Sequence, residues 1–355
     1  MERVTYILGA GFSAPLGLPV MSNFLFKSRD MYFSDKEKYK YFSNVFESIS
    51  KLSVIKNYYN ADLFNIEEIL SITEMMSFLD GKKLKAEFSK YISEVIEYYT
   101  PTVTSYSNSP QGLPSNWEDF VFGRGGEYTE LCYLIGHLLR VKFEQTTEDS
   151  GGGRVFHANR DDLINTRYSV LSLNYDRVLE NIENHLATQY VKDDSLSFNK
   201  DSYDPNWDKV HLMKLHGCVE NGEIVPPTWA KGTHPSIVPI WKNAFHILKE
   251  SNHIRFIGYS LPTADSYLKY LLKSAIVDSK HLKSIDVICL DQSGDVKERF
   301  NNFFEFNYYR FKNSNVLSYA SGLKQEVKKN LKRYGQEVQM SLNKLETYHE
   351  MFMRQ

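Results

Sequence analysis

A chain of 355 residues, 42% of them hydrophobic, is long enough for one large α/β domain plus a second helical unit around a sizeable core. A formal net charge of −2 excludes any global attraction to nucleic acid or anionic lipid. Cys132, Cys218 and Cys289 are too widely spaced for a Cys-x-x-Cys metal module, do not suggest a disulfide framework, and fit a reducing cytoplasm. Met1-Glu2-Arg3 leads into the first strand without a leader, and no apolar run reaches bilayer-spanning length.

Val4 to Leu8 reads as a short buried strand. Gly9-Ala10-Gly11-Phe12-Ser13-Ala14 and then Gly17-Leu18-Pro19 follow, the G-x-G-x-x-G/A spacing of a strand feeding a tight turn and a helix. Gly9 can take φ > 0 and turn sharply, Gly11 lets a pyrophosphate approach the backbone, and Ala14 lets the helix sit against the sheet. The N–H groups that open such a helix suit a diphosphate. The acid that an ordinary dinucleotide-binding unit carries about 20 residues later is missing. Asp30 instead follows Phe24-Leu25-Phe26-Lys27-Ser28-Arg29, which reads as helix.

Helical 3/4 spacing runs through Asn65–Phe78, Lys82–Tyr99 and Glu127–Glu144, with Thr100–Asn116 a loop rich in Pro, Ser and Asn. These helices break the βαβ rhythm and read as a module inserted after the first strand–helix unit. Gln145–Gly153 is a polar, glycine-rich link. The sheet then resumes with strands at Tyr168–Leu173, Val210–Leu215, His253–Ile257 and Ile285–Leu290. Helices are expected at Arg177–Tyr190, Ser236–Ser251, Thr263–Val277 and Gly294–Phe304, with Val191–Trp207 a polar loop and Gly217–His234 a long loop or short hairpin. The fold expected is α/β: a Rossmann-like parallel sheet with helices on both faces. From Leu317 the tail reads as helical, with Leu323, Val327, Leu331, Tyr334, Val338 and Leu345 forming a stripe that needs a partner, either the chain's own body or another subunit. Lys328, Lys329, Lys332 and Arg333 read as a solvated face.

Chemistry gathers where the strands end. The first ends in the glycine turn, the second in Asn174-Tyr175-Asp176, the third in His216-Gly217, the fourth in Gly258-Tyr259-Ser260-Leu261-Pro262, and the fifth in Asp291. Ligands of open parallel sheets bind outside the carboxyl ends of the strands, so these residues share one rim. Each has a plainer reading: Asn174 or Asp176 as a helix cap, His216 as a half-buried histidine, Gly258 and Ser260 as a turn and helix start. Cys218 beside His216 is not read as a nucleophile, because neighbouring side chains of an extended chain point to opposite faces.

Taken together these segments resemble the sirtuin (Sir2) superfamily, and more closely its bacterial SIR2-like branch of antiphage defence proteins. Gly9-Ala10-Gly11-Phe12-Ser13 with Gly17-Leu18-Pro19 is similar to the family's Gly-Ala-Gly-x-Ser…Gly-Ile-Pro motif. Leu173-Asn174-Tyr175-Asp176 resembles Gln-Asn-Ile-Asp, and Lys214-Leu215-His216-Gly217 the segment bearing the family's histidine. Phe256-Ile257-Gly258-Tyr259-Ser260-Leu261-Pro262 followed by Asp265 resembles the SIR2-like branch. Met21-Ser22 stands where the family has Phe-Arg, Leu173 replaces Gln, and the zinc-binding cysteine quartet is absent.

The resemblance implies a SIR2-like NAD-binding domain at 1–20 and 154–312, the inserted helical module at 21–153 and a tail at 313–355 available for oligomerisation. It implies that Ala10, Gly11 and Ser13 hold the pyrophosphate of NAD, with Gly9, Phe12, Pro19 and Tyr259 in the same binding motifs. Asn174 would orient water or the ribose, Asp176 would contact the nicotinamide end, and His216 would be the general base. Gly258 and Ser260 would meet the phosphates and adenosine ribose, and Asp291 the adenine side. The activity implied is hydrolysis of NAD+, as substrate, to nicotinamide and ADP-ribose by a gated cytoplasmic effector of antiphage defence. Such an effector is a homo-oligomer, with a companion such as a HerA-type ATPase, and needs no zinc, membrane or nucleic-acid contact. The alternatives are an NAD-dependent protein deacylase and a non-catalytic sensor of NAD or ADP-ribose derivatives.

Overall fold

The computed structural model describes residues 1–51, 66–81, 84–102, 126–147, 154–161, 165–190, 196–200, 202–206, 209–225, 234–263, 265–277, 279–329, 332–334, 337–341 and 344–355. Strand β1 (Glu2–Leu8) lies at the centre of a seven-stranded sheet. On one side stand β4 (Thr166–Ser172), β6 (Val210–Lys214) and the short edge strand β5 (Phe198–Asn199). On the other stand β9 (His253–Ile257), β10 (Ser284–Cys289) and β11 (Tyr309–Asn313). Every neighbouring pair is parallel. The chain fills one side of β1 and then the other, so the order reverses beside β1. Such a switch point is where open α/β sheets leave a crevice.

Alternation along the strands sends side chains to two cores. Ile7, Leu171, Met213, Phe256 and Val287 pack under α8 (Ile237–Lys249), α9 (Ser266–Val277) and α10 (Asp295–Phe303). Tyr6, Leu8, Val170 and Leu212 join the opposite core. That core also takes in α2 (Phe24–Ser34), α3 (Phe42–Lys51), α4 (Ile66–Asp80), α5 (Leu84–Tyr99) and α6 (Gly126–Leu138). α7 (Val178–Tyr190), α11 (Val316–Lys329) and α12 (Leu345–Arg354) complete it. These helices therefore share a continuous apolar core with one face of the sheet.

Three expectations are corrected. The helix expected to reach Glu144 stops at Leu138, and Arg140 turns the chain at φ 56° into β2 (Val141–Thr147). β2 pairs antiparallel with β3 (Arg154–Arg160), so the link begins within a strand, and residues 148–153 lie outside the described residues. The tail is not wholly helical either: between α11 and α12 it forms β12 (Lys332–Tyr334) and β13 (Glu337–Ser341), and β13 pairs with β2. The partner strand lies some two hundred residues earlier in the chain, so local periodicity carries no trace of it. Leu323, Val327 and Leu345 of the expected stripe are buried in the chain's own core, while Leu331 lies outside the described residues.

α12 is seated on a charged row that crosses the sheet. Tyr6, Arg255, Asp286 and Arg310 are in register on β1, β9, β10 and β11. α12 answers with Glu346, His349 and Glu350 from one helical face. Arg255 donates to both oxygens of Glu346 (2.9 and 2.6 Å) and to the Tyr6 hydroxyl (2.7 Å). Arg310 forks onto Asp286 (2.6 and 2.9 Å) and onto Glu350 (3.0 and 2.8 Å). His349 Nε2 lies 3.0 Å from Asp286 Oδ2, and its Nδ1 lies 3.0 Å from the Tyr319 hydroxyl.

Candidate active site

The carboxyl ends of β1, β4, β6, β9 and β10 open onto one cavity of about 540 Å³, a volume typical of small-molecule sites. Its floor is a contact between two turns. Gly9 is extended (φ −102°), so the expected positive φ is not what glycine supplies there. A Cβ on Gly9 would lie 2.7 Å from the carbonyl oxygen of Gly258, one on Gly11 2.9 Å from Gly258 Cα, and one on Gly258 2.3 Å from the amide nitrogen of Phe12. The three bare Cα atoms let the β1 and β9 turns touch backbone to backbone. Positive φ falls instead at Gly17 (93°) and Gly258 (64°), and at buried Leu261 (50°), a non-glycine residue held there by its packing.

The amides of the first turn are partly committed. Gly9 N–H donates to Ile257 O (3.1 Å), Gly11 N–H to Gly258 O (2.8 Å) and Phe12 N–H to Gly9 O (2.9 Å). The helix that follows, α1 (Ala10–Ser13), is a single turn, and Pro15 and the left-handed Gly17 end its 3₁₀ continuation at Leu16. The turn therefore offers an exposed crest at Ala10 rather than the end of a long helix dipole.

Asn174, from the end of β4, reaches back across this turn. Its Nδ2 donates to Gly9 O (3.0 Å) and to Ser13 Oγ (3.2 Å), and its own N–H is received by Ser172 Oγ (3.2 Å). A carbonyl oxygen can only accept, so the orientation of the amide is fixed. Asp176, two residues on, is buried and accepts the Val178 N–H at 3.0 Å, so it also caps α7. Burial pushes its carboxyl above the ordinary carboxylate range, against the opposing pull of Lys214. Lys214 donates to the Asp176 carbonyl and lies 3.2 Å from Glu180.

His216 follows β6. It is 3% exposed, its Nε2 lies 3.8 Å from Asp265 Oδ2, and its ring faces that of Tyr175 at 5.9 Å. Gly217 turns at φ 86° into a short hairpin of Gly217–Cys218 with Glu223–Ile224. The Cys218 thiol is pushed up by burial, which favours the unreactive thiol form.

Gly9, Ala10, Gly11, Ser13, Pro19, Asn174, Asp176, His216, Gly258, Tyr259 and Ser260 all line the cavity. Phe12 and Asp291 do not. Phe12 is buried in the core beneath the turn. The Asp291 carboxylate accepts the N–H groups of Gly294 (2.9 Å), Val296 (3.3 Å) and Lys297 (2.9 Å), so its work is to cap α10. Burial acts upward on that carboxyl, but these three donors hold it below the usual range.

Sequence reasoning gave no role to several lining residues. Asp265 borders the cavity, is 1% exposed, and faces His216. Phe24 of α2, with Ile66 and Leu70 of α4 and Ile92 and Ile96 of α5, forms an apolar wall. In sequence these are ordinary core positions of helices, and no local signal separates a cavity wall from a core. Ser314 and Asn315 enter from the β11–α11 junction, an edge strand absent from the sequence reading. Among the described residues no three His, Cys, Asp or Glu side chains gather as a metal site would require, and no helix is long and apolar enough to cross a membrane.

No curated protein matches the chain. Solved structures similar to it include Sir2Tm bound to a propionylated peptide (TM-score 0.39, 11% identity, 92% of each chain covered). Others are Sir2 bound to an acetylated peptide (0.38, 12%, 92% of each) and a Sir2–p53 peptide–NAD+ complex (0.34, 12%, 92% of each). The family model described as the SIR2-like domain matches residues 168–312, the span that contains Asn174, His216 and Gly258. The chain thus carries a SIR2-like domain over residues 168–312.

Proposed function

We propose that this protein is an NAD+ hydrolase that cleaves the N-glycosidic bond to release nicotinamide and ADP-ribose. The observation that carries this reading is the Asn174 amide, held on the glycine turn by two hydrogen bonds, in the same cavity as His216. With both amide hydrogens committed, the oxygen of Asn174 is the group that accepts a hydrogen from water and orients it. Water attacks C1′ of the ribose, nicotinamide leaves with the bonding pair and loses its ring charge, and the water proton passes to His216. The buried carboxyl of Asp176 borders the same space and favours a cationic ring there. Ala10, Gly11, Ser13, Gly258 and Ser260 line the same cavity and suit the diphosphate and adenosine ribose. Phe24 offers an aromatic surface three residues beyond the position where Met21 replaces the family's phenylalanine.

Within this reading the enzyme acts in the cytoplasm as a phage-triggered effector, gated by self-assembly or by a companion such as a HerA-type ATPase. A cell cannot tolerate constitutive NAD loss, and that requirement motivates the gate. One observation favours a second reading, an NAD-dependent deacylase: the apolar wall of Ile66, Leu70, Ile92 and Ile96 suits an acyl chain. Mass-spectrometric analysis of products from NAD, with and without acetylated peptide and infected-cell lysate, separates the two. ADP-ribose and nicotinamide formed without peptide support hydrolysis; O-acetyl-ADP-ribose formed only with peptide supports deacylation and overturns it.

A further inference from the structure

The β9–α9 loop carries a buried carboxylate that the hydrolytic reading leaves without a task. Asp265 Oδ1 accepts the Leu268 N–H at 3.2 Å, which caps α9. Asp265 Oδ2 accepts the Tyr259 hydroxyl at 3.1 Å and faces His216 Nε2 at 3.8 Å. A cap needs one oxygen; the second is aimed at the imidazole from a different strand end. The two side chains are 2% and 3% exposed, so water does not screen them from each other.

We propose that Asp265 is the positioning residue for His216, acting through a Tyr259–Asp265–His216 chain that fixes the imidazole tautomer and steadies the imidazolium formed on proton uptake. The proposal rests on the hydrolytic reading for its catalytic consequence, but the pairing itself does not. With Nε2–H directed at Asp265, Nδ1 keeps the lone pair and accepts the proton. Closing 3.8 Å to a hydrogen bond takes a side-chain adjustment of about 1 Å, and contacts of this kind often tighten when a ligand enters. The Tyr259 hydroxyl keeps the carboxylate from swinging away, and its ring is fixed by packing on Phe256 at 6.2 Å. Among the described residues, other titratable groups near His216 include Tyr175 across the ring, Asp176 lining the same cavity, and Lys214 and Cys218 within two residues of it in the chain. Asp265 places a carboxylate oxygen 3.8 Å from the ring, where it pairs with the imidazolium once the ring is protonated.

Asp265→Asn is the informative variant, because asparagine caps a helix as well as aspartate and removes only the charge. Two readouts are taken: the NMR titration of the His216 imidazole without substrate, assigned against His216→Ala, and the pH profile of nicotinamide release. The proposal expects the His216 midpoint to fall by about 1 pH unit and kcat to fall about tenfold or more, with KM within about twofold. Tyr259→Phe keeps the ring, removes a competing donor from Oδ2 and should move the midpoint upward; this result decides the matter if Asp265→Asn is poorly folded. A midpoint unmoved in whichever variant folds, or a kcat unchanged in a folded Asp265→Asn, overturns the proposal. If the wild type releases no nicotinamide, the hydrolytic reading falls, while the imidazole titration still decides whether Asp265 controls His216.

Discussion

Lowering the pH should undo the seating of α12 before it disturbs the rest of the sheet. His349 is fully buried, and burial, aided by the Arg255 guanidinium, pushes its imidazole down to about 4; the hydrogen bond to Asp286 offsets this only in part. A neutral ring matches its surroundings: Nε2–H donates to Asp286 and Nδ1 accepts the Tyr319 hydroxyl. The unfolded chain takes up this proton near 6.5 and the folded chain only near 4, so stability is complete above about 6.5 and declines as pH falls toward 4. At about 1.4 kcal/mol per pH unit, that window is worth about 3 kcal/mol. Asp286 adds to the effect at still lower pH. Burial opposes its ionisation, but His349 and Arg310 hold its carboxyl well below the usual range, and that stability is lost as the acid protonates. Urea unfolding from pH 7.5 to 4.5, with hydrogen exchange read on residues 345–354, measures the loss. His349→Gln should flatten the slope. Wild-type stability unchanged between pH 7 and 4.5, or an equal slope in the variant, would refute the reasoning.

Two further substitutions test the architecture. Gly258→Ala introduces a Cβ 2.3 Å from the Phe12 amide nitrogen at φ 64°, so the two turns must part. The expected cost is at least about 2 kcal/mol, together with loss of ligand binding, read by thermal melting and by calorimetric titration with ADP-ribose. Glu346→Ala strands an Arg255 side chain that is 3% exposed, for about 3 kcal/mol, whereas Arg255→Met costs less because Glu346 is 36% exposed and reaches water. Equal losses in the two variants, measured by urea unfolding, would contradict this asymmetry.

The central strands were legible because β1, β4, β6, β9 and β10 are short apolar runs that end in glycine or polar residues; His253–Ile257 matches its expected bounds. What stayed hidden depends on distant partners. The hairpin of β12 and β13 owes its strand form to β2, and Arg255, Asp286 and Arg310 read singly as charges misplaced in strands until register aligns them beneath α12. The place of Asn174 and His216 on the cavity rim was legible because each lies just beyond a strand end. Asp291 too follows a strand, but the next helix begins so soon that its carboxylate turns to the N–H groups of that helix. The positive φ expected at Gly9 is not found; the bare Cα atoms of Gly9 and Gly11 serve a contact with Gly258 that is invisible along the chain.

The most direct test of the account is nicotinamide release from NAD by wild-type protein beside Asn174→Ala and His216→Ala, with infected-cell lysate present and folding verified by circular dichroism. The account predicts release by the wild type and at least about a hundredfold loss in each variant with the fold retained. Undiminished release by either variant would contradict it.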